Sequence, residues 1–203
     1  MKRLGITLAL VSVFLLSVAT VASAVSFYPL PAPQEKGVPK AERAPSMAVA
    51  VYATSWEVNV GGTTIGTVDG TLATIEASVG KDYAVGVAMN SIEGGGDPLW
   101  DVHATRRLAN GLGVQVGALT SGGFTDWQVA AMRSFRPKGP KQVWAADLGV
   151  GAYFPDGGDA GGQAFVAASY DVAKNITANL SVWSISISDV TLTRTAFGAG
   201  YRF

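Results

Sequence analysis

The final seven residues, Phe197-Gly198-Ala199-Gly200-Tyr201-Arg202-Phe203, alternate in character up to the last position of the chain. Successive side chains of a strand point to opposite sides, so Phe197, Ala199, Tyr201 and Phe203 share one face and Gly198, Gly200 and Arg202 the other. The chain thus ends on a strand with one apolar face and one small or polar face. The same period of two recurs upstream. From Met47 onward, alternating runs are separated by Gly, Pro, Asn and Asp, the residues that supply turns. Ten strands are predicted, at about 47–60, 70–80, 83–92, 99–108, 112–120, 126–135, 142–154, 163–171, 176–187 and 191–203.

Nothing after the first 25 residues approaches the ~20 consecutive apolar residues of a membrane-spanning helix, so any further crossing falls to strands. The amino terminus itself reads as a secretory signal over residues 1–24. Lys2-Arg3 precedes an apolar run from Leu4 to Val18, and Ala22-Ser23-Ala24 gives a small-x-small cleavage pattern, so the mature chain would begin near Val25. The competing reading, an uncleaved anchor, is weakened by Thr7, Ser12, Ser17, Thr20 and Ser23 within the span. Residues 25–46 are expected to be a periplasmic tether: Pro29, Pro31, Pro33, Pro39 and Pro45 rule out both helix and ladder strand there.

Without Lys2 and Arg3 the chain has 13 basic and 15 acidic side chains, a formal charge of −2, which disfavours a nucleic-acid partner. Cysteine is absent, removing disulfides and thiolate metal sites. With 48 % apolar and only 15 % charged residues, and 25 glycines, the composition suits a thin wall facing lipid better than a water-soluble surface.

The terminal Phe203, the aromatic Tyr201 two residues before it and Phe197 further back resemble the closing strand of bacterial outer-membrane β-barrel proteins. In that family these positions are the signal read by the barrel-assembly machinery. The resemblance covers residues 47–203 and implies an all-β, antiparallel, up-and-down transmembrane barrel, with ten strands from the run count and eight as the alternative. It further implies an outer-membrane location, with outer-membrane lipid and lipopolysaccharide around a monomer. A secreted soluble β-sandwich is the alternative fold.

Connection length is expected to set the orientation. Short turns at 81–82, 109–111, 137–140 and 172–175 alternate with mostly longer ones at 61–69, 93–98, 121–125 and 155–162 and a brief one at 188–190, so both termini would be periplasmic. Asp69, Glu93, Asp97, Asp126, Asp156, Asp159 and Asp189 would then line an acidic outer rim, and Lys81, Arg136, Lys138, Lys141 and Lys174 a basic inner one.

The phase of each run assigns its faces. Tyr52, Trp56, Tyr83, Trp100, Trp127, Phe135, Trp144, Phe154, Tyr201 and Phe203 are expected outward near the two headgroup interfaces. Arg106 and Arg133 also fall outward, close to the periplasmic ends. In the ninth run Trp183, Ile185 and Ile187 are out of step with Ile176, Ala178, Leu180 and Val182, and a bulge near Trp183 would reconcile them.

The expected lumen set is Glu57, Glu76, Asp101, His103, Arg107, Gln115, Gln128, Asp147, Asn179 and Arg194. Opposite charges confined there must pair. They form either a structural polar plug or the lining of a narrow passive pore. Asp101-Val102-His103 is similar to the Asp-x-His pair of omptin proteases, also ten-stranded barrels, but no Asp-x-Asp pair answers it and no extracellular extension builds a cleft. A lipid-A hydrolase would need Ser and His together facing lipid, whereas His103 faces inward by phase. The Pro155–Gly162 loop offers too few carboxylates for a dedicated calcium site. The expectation is a non-enzymatic structural or surface barrel, or narrow pore, without metal or cofactor; the alternatives are an outer-membrane barrel hydrolase using Asp101 and His103 and a secreted soluble β-sandwich binding module.

Overall fold

The computed structural model describes residues 47–79, 82–135, 143–173 and 175–203. The expected signal and tether, and Lys81, Arg136, Lys138, Lys141 and Lys174, lie outside the described residues.

Ten strands run β1 Met47–Val60, β2 Thr63–Val79, β3 Tyr83–Ile92, β4 Leu99–Arg107, β5 Leu112–Ser121, β6 Phe124–Phe135, β7 Trp144–Phe154, β8 Gly161–Ala173, β9 Ile176–Ile187 and β10 Val190–Arg202. Each pairs antiparallel with its sequence neighbour and β10 returns to β1, closing the barrel and leaving no edge strand. A closed barrel excludes the sandwich. From Met47 the register passes through Ala77, Val85, Ala104, Val116, Val129, Ala152, Gly162, Ser186 and Thr191 to Asn59, so one circuit advances twelve residues. At ~3.3 Å per residue that is about 40 Å of stagger against roughly 48 Å of perimeter for ten strands ~4.8 Å apart, which tilts the strands by about 40°.

β2 starts earlier than expected. Thr63 and Thr64, read as part of a long connection, pair with Val60 and Asn59, Ile65 is bulged out where the register shifts, and only Gly61 and Gly62 turn the chain, with φ of 57° and 80°. Two consecutive left-handed residues make a hairpin turn whose twist matches its strands, and glycine adopts that conformation without Cβ strain. Gly122–Gly123 and Ser188–Asp189 form similarly brief turns at the same end, while the connection between β6 and β7 at the other end spans 136–143. Connection length therefore does not separate the two ends. The acidic rim is also smaller than expected, because Asp69 lies within β2 and Asp126 points into the lumen, 1 % exposed.

Most of the outward face agrees with the phase reading: Tyr83, Trp100, Trp127, Phe135, Trp144, Phe154, Tyr201 and Phe203 are all exposed on the outer wall. Two aromatics do not. Tyr52 and Trp56 are buried inside, and their strand-mate Glu57 faces out. In β9 the ladders to β8 and β10 run through Trp183 without a register shift, so no bulge forms and Trp183 and Ile185 simply face inward. Arg106 and Arg133 do face out, and each guanidinium stacks on an aromatic ring at the end of the barrel where Met47 and Phe203 lie, Arg106 over Tyr83 at 5.8 Å and Arg133 over Phe135 at 5.4 Å.

Candidate functional site

The lumen divides into two halves along the barrel axis. In the half nearer Met47 and Phe203, inward positions of β2, β4 and β5 bring Glu76, Asp101, His103, Arg107 and Gln115 into one cluster. His103 Nε2 lies 2.6 Å from Glu76 Oε1 and its Nδ1 lies 3.2 Å from Asp101 Oδ1, with all three side chains buried. Arg107 Nη2 donates to Ser78 Oγ at 3.5 Å, and its guanidinium lies within electrostatic reach of Glu76. The close approach of Glu76 to His103 depends on Gly86, which sits between their strands in the ladder; a Cβ there would overlap both the carboxylate and the imidazole.

The cluster lies close against small side chains. Gly117 pairs with both His103 and Gln128 across β4, β5 and β6, which leaves room for the Gln128 amide. Asp147 and Asn179 are buried on β7 and β9. Gln115 Oε1, both polar atoms of Gln128, and the Ser169 and Ser181 hydroxyls find no protein partner among the described residues. Buried positions of this kind are completed by ordered water. A cavity of about 20 Å³ between β1, β2, β9 and β10, lined by Thr74, Glu76, Thr177, Asn179 and Arg202, has room for one water molecule at this end.

The far half is occupied by large side chains, of which Arg194 was expected in the lumen, whereas Trp56 was expected outward and Trp183 was read as out of step with its run. Trp56 and Trp183 meet edge to face with centroids 6.3 Å apart. The Arg194 guanidinium stacks on both rings, at 5.5 and 5.9 Å, and donates to Asn90 Oδ1 at 3.4 Å. Trp183 Nε1 donates to Gln163 Oε1 at 3.2 Å, fixing the indole. Val58, Leu119, Met132, Phe165, Ile185 and Leu192 fill the space around them. Tyr153 donates its hydroxyl to Asp126, whose other oxygen accepts from the Asp156 N–H at 2.7 Å. The signal for this plug was present in the unbroken phase of β9: if Leu180 and Val182 face lipid, Trp183 and Ile185 face the lumen.

Of the expected lumen set, Glu76, Asp101, His103 and Arg107 converge, with Gln115 and Gln128 beside them. Asp147, Asn179 and Arg194 are buried at other points of the lumen. Glu57 stands apart: it is exposed on the outer wall, where its Oε1 accepts from Asn59 Nδ2 at 2.8 Å and Thr64 Oγ1 at 3.1 Å. Phe197, Tyr201 and Phe203 lie outside on the closing strand, with Tyr201 and Phe203 edge to face at 4.9 Å. Chemically, both imidazole nitrogens are already engaged by carboxylates under a buried surface. Among the described residues no group of three His, Asp or Glu is arranged to hold a metal ion.

A closed antiparallel barrel with an aliphatic and aromatic outer wall and a polar, partly aromatic filling is the architecture of the outer-membrane β-barrels, and the chain resembles that class. No family model and no curated protein matches it. Among solved structures it is similar to Ail, the attachment invasion locus protein of Yersinia pestis, at 10 % identity over 79 % of this chain and 100 % of the other, with a TM-score of 0.39. It is similar to the outer membrane protein OprG of Pseudomonas aeruginosa at 12 % identity, over 78 % and 95 % of the two chains, TM-score 0.40. An outer membrane channel from Pseudomonas putida F1 matches at 10 % identity over 89 % and 99 %, TM-score 0.44.

Proposed function

We propose that this protein is a non-enzymatic outer-membrane barrel that acts as a structural and surface element, and that in its resting form it does not pass solutes. The observation that carries this reading is the far-half plug. Trp56, Trp183 and Arg194, each at most 2 % exposed, stand in the far half of the lumen, and aliphatic and aromatic side chains pack around them. Ten strands enclose a space intermediate between small filled barrels and open porins, so side chains of this size decide which of the two it resembles.

Purified protein in planar bilayers tests this. The unaltered chain is expected to give no resolved current steps, and Trp56→Ala with Trp183→Ala to give discrete ones. Steady conductance from the unaltered chain would favour the narrow-pore reading instead. Hydrolysis is disfavoured because His103 has no free nitrogen and no route to a substrate. Retained peptide or lipid cleavage that disappears in a folded His103→Ala variant would reverse that.

The orientation we favour has both termini in the periplasm and the Asp156–Gly162 segment outside. Charge supports it, since Glu93, Asp97, Asp156, Asp159 and Asp189 lie at one end and Arg106, Arg107, Arg133 and Arg202 at the other, against Asp82 and Asp171 there. An epitope inserted at Gly158 is expected to label on intact cells; labelling only after permeabilisation would invert the topology. The partners on this reading are outer-membrane lipid and lipopolysaccharide around a monomeric barrel, and the barrel-assembly machinery during biogenesis.

A further inference from the structure

Arg106 on β4 and Arg133 on β6 are exposed on one side of the outer wall, whereas Arg107 bonds Ser78, Arg194 is buried in the lumen and Arg202 pairs with Asp171. The register sets β5 between the two outward arginines: Arg106 pairs with Val114 and Arg133 with Leu112, both exposed aliphatic side chains. Two interstrand steps of ~4.8 Å and two residues of ~3.3 Å put their Cα atoms about 12 Å apart. Their guanidiniums turn to different rings, Arg106 to Tyr83 across the β3–β4 ladder and Arg133 to Phe135 two positions along its own strand. Neither has an anionic partner in the protein. Among the described residues no carboxylate pairs with Arg106 or Arg133, Asp82 of the adjoining turn included. Of the strand carboxylates at this end, Glu76 and Asp147 are buried inside and Asp171 is held by Arg202, while the outward Glu57 and Asp69 lie toward the opposite end.

We propose that Arg106 and Arg133 each bind the phosphate of a net-anionic phospholipid of the periplasmic leaflet, whose acyl chains lie against the aliphatic lane of β5. The inference rests on the reading of the chain as a membrane barrel and on the orientation favoured above. Exposed Tyr83, Phe135, Trp144 and Tyr201 form the aromatic belt of this end, and rings of that kind sit at headgroup level, so both guanidiniums stand where lipid phosphates lie. A cation beside acyl chains needs a counter-ion, and the protein supplies none. Stacking covers one flat face of each guanidinium and leaves its edge donors for the two-pronged contact that a phosphate accepts. The charge then chooses the headgroup. A phosphatidylglycerol head brings a phosphate without a cation, whereas the ammonium of a zwitterionic head meets a guanidinium and no carboxylate. Lipopolysaccharide offers the same phosphate oxygens, but on this orientation they lie at the other end of the barrel.

The full chain, folded in detergent micelles, can be titrated with phosphatidylglycerol or phosphatidylethanolamine spin-labelled on the acyl chain, and the motionally restricted signal measured. The unaltered chain is expected to hold phosphatidylglycerol at least threefold more tightly than phosphatidylethanolamine. Arg106→Gln with Arg133→Gln is expected to abolish that preference, and Arg106→Lys with Arg133→Lys to keep part of it. Equal binding of the two lipids by the unaltered chain overturns the proposal, as does a preference undiminished in the double Gln variant. Mass spectrometry of the barrel extracted from cells in mild detergent separates the two sources of phosphate. Retained phosphatidylglycerol that the double Gln variant loses is expected, and lipopolysaccharide lost in its place overturns the assignment to phospholipid. Two readings are scored apart from the lipid signal. Absence of heat-modifiable migration in the unaltered chain would fail the membrane-barrel reading, and the Gly158 epitope reports the orientation.

Discussion

His103 is held from both sides by groups that only accept hydrogen bonds when ionised, and this makes it the residue on which the near half of the lumen depends. Removing one member of a buried charged group is far more damaging than never having it, because the remaining charges lose their compensation without regaining water. His103→Ala is therefore expected to cost about 3–5 kcal/mol in urea unfolding of the folded barrel in detergent. The triple change Glu76→Gln, Asp101→Asn, His103→Gln is expected to recover a large part of that loss. A triple variant no more stable than His103→Ala would show that packing, and not charge, sets the cost. Gly86 tests the same cluster by shape alone. Gly86→Ala places a methyl where Glu76 and His103 meet, and overpacking of that kind is expected to cost about 1–3 kcal/mol. A neutral Gly86→Ala would mean that the two side chains can part at no cost.

At the level of strands and turns, the β1–β2 hairpin is the feature most exposed to a single substitution. Gly62 has a φ of 80°, and a β-branched residue forced there pays about 1–2 kcal/mol for the left-handed backbone. Gly62→Val is expected to lower stability by that amount while the strand content measured by circular dichroism is retained. Ten alternating runs, the phase of β4, β5, β7 and β10, and the direction of Phe197, Tyr201 and Phe203 were all legible from period-two patterning, because lipid outside and crowding inside impose opposite demands on neighbouring residues. β1 was not. Its outward positions include Ser55 and Glu57 and its inward ones include Tyr52 and Trp56, so local polarity points the wrong way. The reason lies across the lumen: Trp56 is needed against Trp183 and Arg194, and no pattern within β1 records a contact made with β9 and β10. The candidate site divides along the same line. Asp101 and His103 were visible as i, i+2 neighbours on one strand, whereas Glu76 joins them through the register and Asp126 with Tyr153 through a contact between separate strands.

For the molecule as a whole, closure is the decisive event, since a sheet with this apolar outer wall and polar inner face has no stable open form in a bilayer. Closure is made by β10 against β1, and it extends to the last residue: the Phe203 N–H donates to the Met47 carbonyl at 2.8 Å, while its ring packs edge to face on Tyr201 and is 66 % exposed on the outer wall. Phe203 thus contributes one ladder bond and a ring that is mostly outside protein contacts. Burial of a whole aromatic side chain is worth only ~1.5–3 kcal/mol, and this one is less than half covered by protein. A finished barrel held by ten complete seams does not depend on that much. We expect deletion of Phe203 to leave a strand-rich, heat-modifiable barrel when the chain is refolded into detergent, with stability lowered by no more than about 3 kcal/mol. In cells the same deletion is expected to prevent insertion, leaving the chain in the periplasm or degraded, because the terminal aromatic would be read by the assembly machinery before any seam has formed. Fractionation of cells expressing the truncated chain, set beside refolding of the same polypeptide, separates the two roles: normal insertion in cells would remove the terminal Phe from the assembly signal, and failure in detergent alone would make it a structural clasp for the β1–β10 seam.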